Sequence, residues 1–314
     1  MRQSHLLFLL VCACGTAAPD DLRDGGFELP HELREVSAVV LAGPDQVACV
    51  QDEKGALWVV DLHGTIAPRK HPFGEGGDYE GLAKIGDHYW VLRSDGRLFE
   101  LVPEGERFRI SRRLQLPGPW RDWEALCFDA AEQRLLAMPK DTPGDKADRD
   151  LRVVFAVDPV AGTVHSEPVV RFSLGAWLEQ DKAAGIDLPV HRSAKGKERV
   201  ALELACSELL VVPGSRQLLL LSSADGVLCR IDLTGRLLGL QRLDQALLPQ
   251  AEGMTWLADG RLLVASEGAG AAVACSWSRH REAAVTARCR DHGCCDSSNR
   301  SPGSSAPVAA TSSS

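Results

Sequence analysis

No cluster of lysine and arginine marks this sequence. With a formal net charge of −8 and a pI near 5.6, the chain has no basic patch to hold a phosphate backbone, which excludes a nucleic acid as partner. That balance leaves a cation as the natural ligand. Long hydrophobic runs are missing too, since no window reaches the ~20 apolar residues of a spanning helix. Familiar chemical signatures are scarce. There is no Gly-x-Ser-x-Gly elbow and no His-Glu-x-x-His, which disfavours an α/β-type serine hydrolase and a zincin. The nine histidines show no ligand spacing, and His71 and His88 read as surface or packing residues. Gly268-Ala269-Gly270 follows a strand run, but without a helix pattern or a following acid it is no dinucleotide loop.

What is present is an ordinary globular composition, 45% apolar and 25% charged over 314 residues, enough for a real core. The first nineteen residues stand apart. Arg2, then the run Leu6-Leu7-Phe8-Leu9-Leu10-Val11, then small residues have the layout of a secretory signal. Within it Val11-Cys12-Ala13-Cys14-Gly15 resembles a bacterial lipobox with Cys14 as the acylated residue, so the expected location is the cell envelope, anchored to the membrane by lipid or secreted. Ten cysteines do not make a disulfide framework. Cys12 and Cys14 lie in the signal, and Cys275, Cys289, Cys294 and Cys295 lie in a tail of different character. Cys49, Cys127, Cys206 and Cys229 each fall singly by an apolar run, as buried free thiols do.

The organising feature is a repeat. Gly77-Asp78-Tyr79-Glu80-Gly81-Leu82-Ala83, a second run Tyr89-Trp90-Val91-Leu92, an Asp95-Gly96 turn and a third run Leu98 to Val102 form one unit. Its grammar returns at Trp123-Glu124-Ala125-Leu126 and at Ala251-Glu252-Gly253-Met254. First-strand starts at Ser37, Glu80, Glu124, Ser207 and Glu252 are spaced by 43, 44, 83 and 45 residues. Three of these match the about 40 to 45 residues of a four-stranded propeller blade. The runs are nearly continuous, as strands covered on both faces are. The reading is an all-β propeller over 32–275 with five blades and, as the alternative, six. An insertion near 173–204 fills the long gap: Ser173 to Gly185 reads as a short capped helix and Pro189 to Glu198 as a polar loop. Residues 20–31 read as a linker. After Gly270 the fifth unit should supply two more strands, but 276–314 becomes aperiodic and reads as a divergent, disordered tail or the product of a shifted frame.

Strands alternate in direction within a blade, so first-strand starts and second-to-third turns share one face. That parity gathers Glu80, Glu124 and Glu252 at one mouth of the central channel, with Asp52, Asp95, Asp141, Asp225 and Glu267 as further acids on that face. Like charges so close disfavour ionisation unless a cation compensates. Hard oxygens suit Ca²⁺, which takes six to eight of them, better than Zn²⁺. Asp95-Gly96 and Asp225-Gly226 are also what tight hairpin turns prefer, and the three glutamates also read as solvated channel carboxylates. Cys289-x4-Cys294-Cys295 with His292 can be drawn as a metal cluster, but it lies in the aperiodic tail. Trp90, Trp120 and Trp123 read as blade core.

Glu35-Val36-Ser37, Val47 to Gly55, Gly77-Asp78-Tyr79-Glu80-Gly81, Val91 to Gly96, Trp123-Glu124-Ala125-Leu126-Cys127, Leu221-Ser222-Ser223 and Ala251-Glu252-Gly253-Met254 together resemble the SdiA-regulated (YjiK-like) family, over about Glu32 to Gly268. The resemblance implies a bacterial envelope β-propeller of five blades, distantly akin to NHL-repeat propellers, with a calcium site and no established activity; Glu80, Glu124 and Glu252 fit its acidic signature. The chain departs from it at Ala38, where glycine is usual, along Arg171 to Leu204, and beyond Gly270. The function expected is a calcium-binding envelope module; alternative: a metal-dependent hydrolase like the lactonase, esterase and phosphoesterase propellers.

Overall fold

The computed structural model describes residues 26–140, 149–186, 188–268 and 271–275. Cys14 and the signal, Asp141, and the tail from 276 lie outside them. Five antiparallel blade sheets follow one another along the chain, with a two-stranded sheet between the third and fourth. Blade 1 is Val36–Gly43, Gln46–Gln51, Ala56–Asp61 and Arg69–Pro72; blade 2 is Tyr79–Ile85, His88–Arg93, Arg97–Glu104 and Arg107–Gln115. Blade 3 is Trp123–Asp129, Arg134–Pro139 and Leu151–Asp158, whose far edge pairs with two short strands, Thr163–Val164 and Val170–Ser173. Blade 4 is Glu208–Val211, Gln217–Ser222, Val227–Asp232 and Leu237–Arg242. Each first strand contacts the first strands of the blades before and after it, and blade 5 meets blade 1. The result is a closed β-propeller.

The fifth blade corrects two expectations. It runs Gln250–Trp256, Leu262–Glu267 and Ala271–Cys275, and its fourth strand is Gly26–Glu28 from the start of the chain, paired in the register Gly26↔Val273, Phe27↔Ala272 and Glu28↔Ala271. The strand sought after Gly270 is therefore upstream, in the segment read as a linker. Joining first and last strands in one sheet closes the ring and covers the outer edge of Ala271–Cys275 in blade 5.

Five apolar clusters form the core, one in each seam between neighbouring blades. Ala38, Val50, Leu57, Tyr79, Leu82 and Val91 fill the seam of blades 1 and 2, and Trp90, Trp123, Leu126 and Phe155 that of blades 2 and 3. Trp120 packs against the latter cluster. Strands buried on both faces explain why period-2 alternation is blurred. Cys49, Cys127, Cys206 and Cys229 are buried free thiols within these seams.

The insertion is not a sixth blade. Its helix Leu174–Ala184 is capped as the residues predict: Ser173 accepts the Gly175 N–H at 3.2 Å, and Gly185 ends it with φ 63°. Leu174, Trp177, Leu178, Leu188, Val200, Leu202 and Leu204 join the seam of blades 3 and 4, and Trp177 donates to the Gly235 carbonyl at 2.9 Å. The segment read as a polar loop forms most of a hairpin, Val190–Arg192 with Glu198–Val200, largely exposed except for Val200. Its residues carry no apolar alternation for a sequence reading to detect.

Candidate functional site

The series Ser37, Glu80, Glu124 and Glu252 has a common structural cause. In each of those blades the ladder between first and second strands skips one residue, between Val36 and Ala38, Tyr79 and Gly81, Trp123 and Ala125, and Ala251 and Gly253. The skipped residue is the serine or glutamate of the repeat. A bulge leaves one residue outside the pairing and re-aims its side chain. Ser207 takes the same place in blade 4, immediately before the ladder that begins at Glu208.

The residue after each bulge is small for a reason of packing. A Cβ on Gly81 would come within 2.7 Å of the Glu124 carbonyl and of Leu126, and one on Gly253 within 2.9 Å of the Val39 nitrogen. First strands of neighbouring blades therefore approach closely enough to bring the bulge side chains together around the axis.

Glu80, Glu124 and Glu252 are mutually within electrostatic reach. Burial, then a hydrogen bond with Asp78 and the negative charges of Glu124, Asp78 and Glu252, push the Glu80 carboxyl up to about 9. Burial also raises Glu124, to about 7, but against the pull of an ammonium: Lys140 Nζ donates to Glu124 Oε1 at 2.7 Å. Glu252 is raised by burial, while Lys140 and hydrogen bonds from Ser223 and Ser207 act against the rise. Lys140 itself loses hydration there, yet is held above its ordinary value by Glu124 first, then Glu252 and Glu80. Its place is fixed by the backbone, since its N–H donates to the Asp122 carbonyl at 2.6 Å.

The outer acids divide. Glu267 belongs to the same field, raised by burial and by Asp52 and Glu35 and lowered by Lys140. Asp52 is raised by burial and by Glu35, Glu53 and Asp78, and its Oδ1 is buried without a hydrogen-bond partner. Asp95 is committed to its turn, and Asp225 ties its turn to the end of the insertion. Asp95 receives Arg93 Nε at 3.1 Å and the Arg97 N–H at 3.1 Å, and Asp225 accepts the Glu203 and Leu204 N–H groups and the Ser222 hydroxyl.

Lys140 and Glu208 are the residues that sequence reasoning missed. A lysine at a strand end reads as solvated, and the series led to Ser207 and passed over its neighbour. Glu208 is 1% exposed, and burial drives its carboxyl well above the ordinary range. A separate cleft of ≈ 440 Å³, lined by Phe73, Glu104, Arg107, Phe108 and Arg113, lies on the outer rim of blades 1 and 2. It is not the channel mouth.

The donor set can be weighed against a calcium ion. Among the described residues no three His, Cys, Asp or Glu side chains are gathered, as arranged, to hold a metal, and the Lys140 ammonium stands on Glu124. The chemistry of the set fits a hard cation all the same. Three carboxylates share one ammonium, the donors are all oxygen, and the Lys140 side chain is 39% exposed on a flexible stem that can withdraw. Glu80, Glu124 and Glu252 are the residues that would hold the ion.

Comparison with known proteins supports the fold. No family model matches the chain, and no curated protein matches it by sequence. The glutaminyl cyclase of Myxococcus xanthus superposes with a TM-score of 0.52 at 15% identity, covering 79% of this chain and 92% of that one. A β-propeller domain from Myceliophteria thermophila gives 0.42 at 12% identity over 78% and 96%. Streptogramin B lyase gives 0.45 at 9% identity over 80% and 97%. Of these only the first, with a TM-score above 0.5, bears on this chain, and at 15% identity it speaks to the fold alone.

Proposed function

We propose that the protein is a cell-envelope β-propeller of the SdiA-regulated type that binds calcium at its channel mouth. In this reading residues 1–19 direct export and Cys14 carries the lipid anchor. One observation carries the proposal: Glu124, ion-paired with Lys140 at 2.7 Å, has two further largely buried glutamates, Glu80 and Glu252, from two other blades within electrostatic reach. Fully ionised, that group carries a net charge of −2 with the Lys140 ammonium in place, and more without it, a deficit that a divalent cation offsets. Without the ion, burial first, then the hydrogen bond with Asp78 and the neighbouring acids favour a proton on Glu80. Calorimetric titration of Ca²⁺ into chelator-treated protein tests it. Binding should release protons, and Glu124→Gln should weaken it; no heat in either protein would remove calcium from the account.

A metal-dependent hydrolase is the second reading, favoured by one feature: a protonated Glu80 stands in the field of the Glu124 carboxylate, an acid and a base together. A bound metal would polarise a carbonyl or phosphoryl oxygen. Turnover of a lactone or phosphoester that disappears in Glu80→Gln supports this reading. Calcium binding without turnover of either leaves the binding module.

A further inference from the structure

Glu208 occupies the position that Ala38, Gly81, Ala125 and Gly253 fill in the other blades. Its Oε1 accepts two backbone N–H groups, Leu209 of its own strand at 2.9 Å and Leu126 of the blade 3 first strand at 3.3 Å. A first strand has a partner on one side only, so N–H groups left free by that ladder face the channel. The glutamate thus spans the inner edges of blades 3 and 4 along the channel wall. Its Oε2 is buried and has no hydrogen-bond partner. The charge acting on it from the mouth is that of Glu252, another acid.

A strut between two strands needs one oxygen, and Oε1 supplies it twice over. A buried carboxyl oxygen left without a partner calls for a proton or a cation. We propose that the cation site extends inward from the mouth to Glu208, whose free Oε2 is a further oxygen ligand for a divalent ion. The inference rests on the calcium reading of the mouth. Ser207 links the two levels, because it follows the bulge pattern, donates to the Ala251 carbonyl at 3.2 Å, and hydrogen-bonds Glu252.

Glu208→Gln tests this, since the amide oxygen can keep both backbone bonds while the anionic oxygen is lost. Calcium affinity is read by calorimetry, and terbium(III) luminescence lifetimes in light and heavy water count the waters on the bound ion. The expected result is affinity weakened by roughly tenfold or more, with about one additional water on the ion in place of the missing oxygen. Glu208→Asp, which retracts the carboxylate by one methylene, should show the same gain in water with a smaller loss, and serves if the glutamine variant does not fold. Wild-type binding with unchanged affinity and water count in the folded variant overturns the inference and leaves the mouth site standing. No calcium binding by the wild type overturns the mouth reading, and the extension with it.

Discussion

Burial and like charge raise Glu80 to about 9, whereas Lys140 holds Glu124 near 7 within the same ring. Each is therefore harder to ionise in the folded protein than in the unfolded chain. A raised carboxyl contributes stability that is fully present below its ordinary value of 4.5 and is lost as pH rises through the folded value. Denaturant unfolding should accordingly show stability falling between pH 5 and about 9, with the fall above neutrality reduced in Glu80→Gln; a flat profile in the wild type would refute it. The bulge residues were legible because they recur at blade spacing. Lys140 and Glu208 occur once each, and no periodicity points to a single lysine or to an acid displaced by one residue.

At the scale of elements, the ring depends on how closely first strands pack. Gly81→Ala places a methyl group against the Glu124 carbonyl and Leu126, and overpacking of this kind costs about 1–3 kcal/mol. Chemical denaturation should report that loss, with weaker calcium binding because Glu80 moves with the strand. Unchanged stability would mean that the strands are free to separate. Most blade strands were visible in the sequence as apolar runs around Gly turns, and the helix from its Ser173 and Gly185 ends. The hairpin Val190–Arg192 with Glu198–Val200 was hidden because, apart from the buried Val200, its side chains are exposed or only partly buried and show no alternation.

At the scale of the whole molecule, a circle is written as a line, and its joint falls between the two ends of the text. Gly26–Glu28 complete a blade whose other strands begin at Gln250, so no local pattern connects them. Removing residues 1–28 should lower the unfolding midpoint by the equivalent of roughly 2 kcal/mol, at about 1 kcal/mol net per backbone hydrogen bond lost. An unchanged midpoint would show that the ring does not rely on that strand.

Closure matters because it brings acids from separate blades into one field, and carbon-NMR titration of the glutamate carboxyls measures that field directly. The account requires a Glu80 midpoint of about 9 that moves down when Glu252→Gln removes a neighbouring charge. A Glu80 midpoint in the ordinary carboxylate range, indifferent to residue 252, would contradict it.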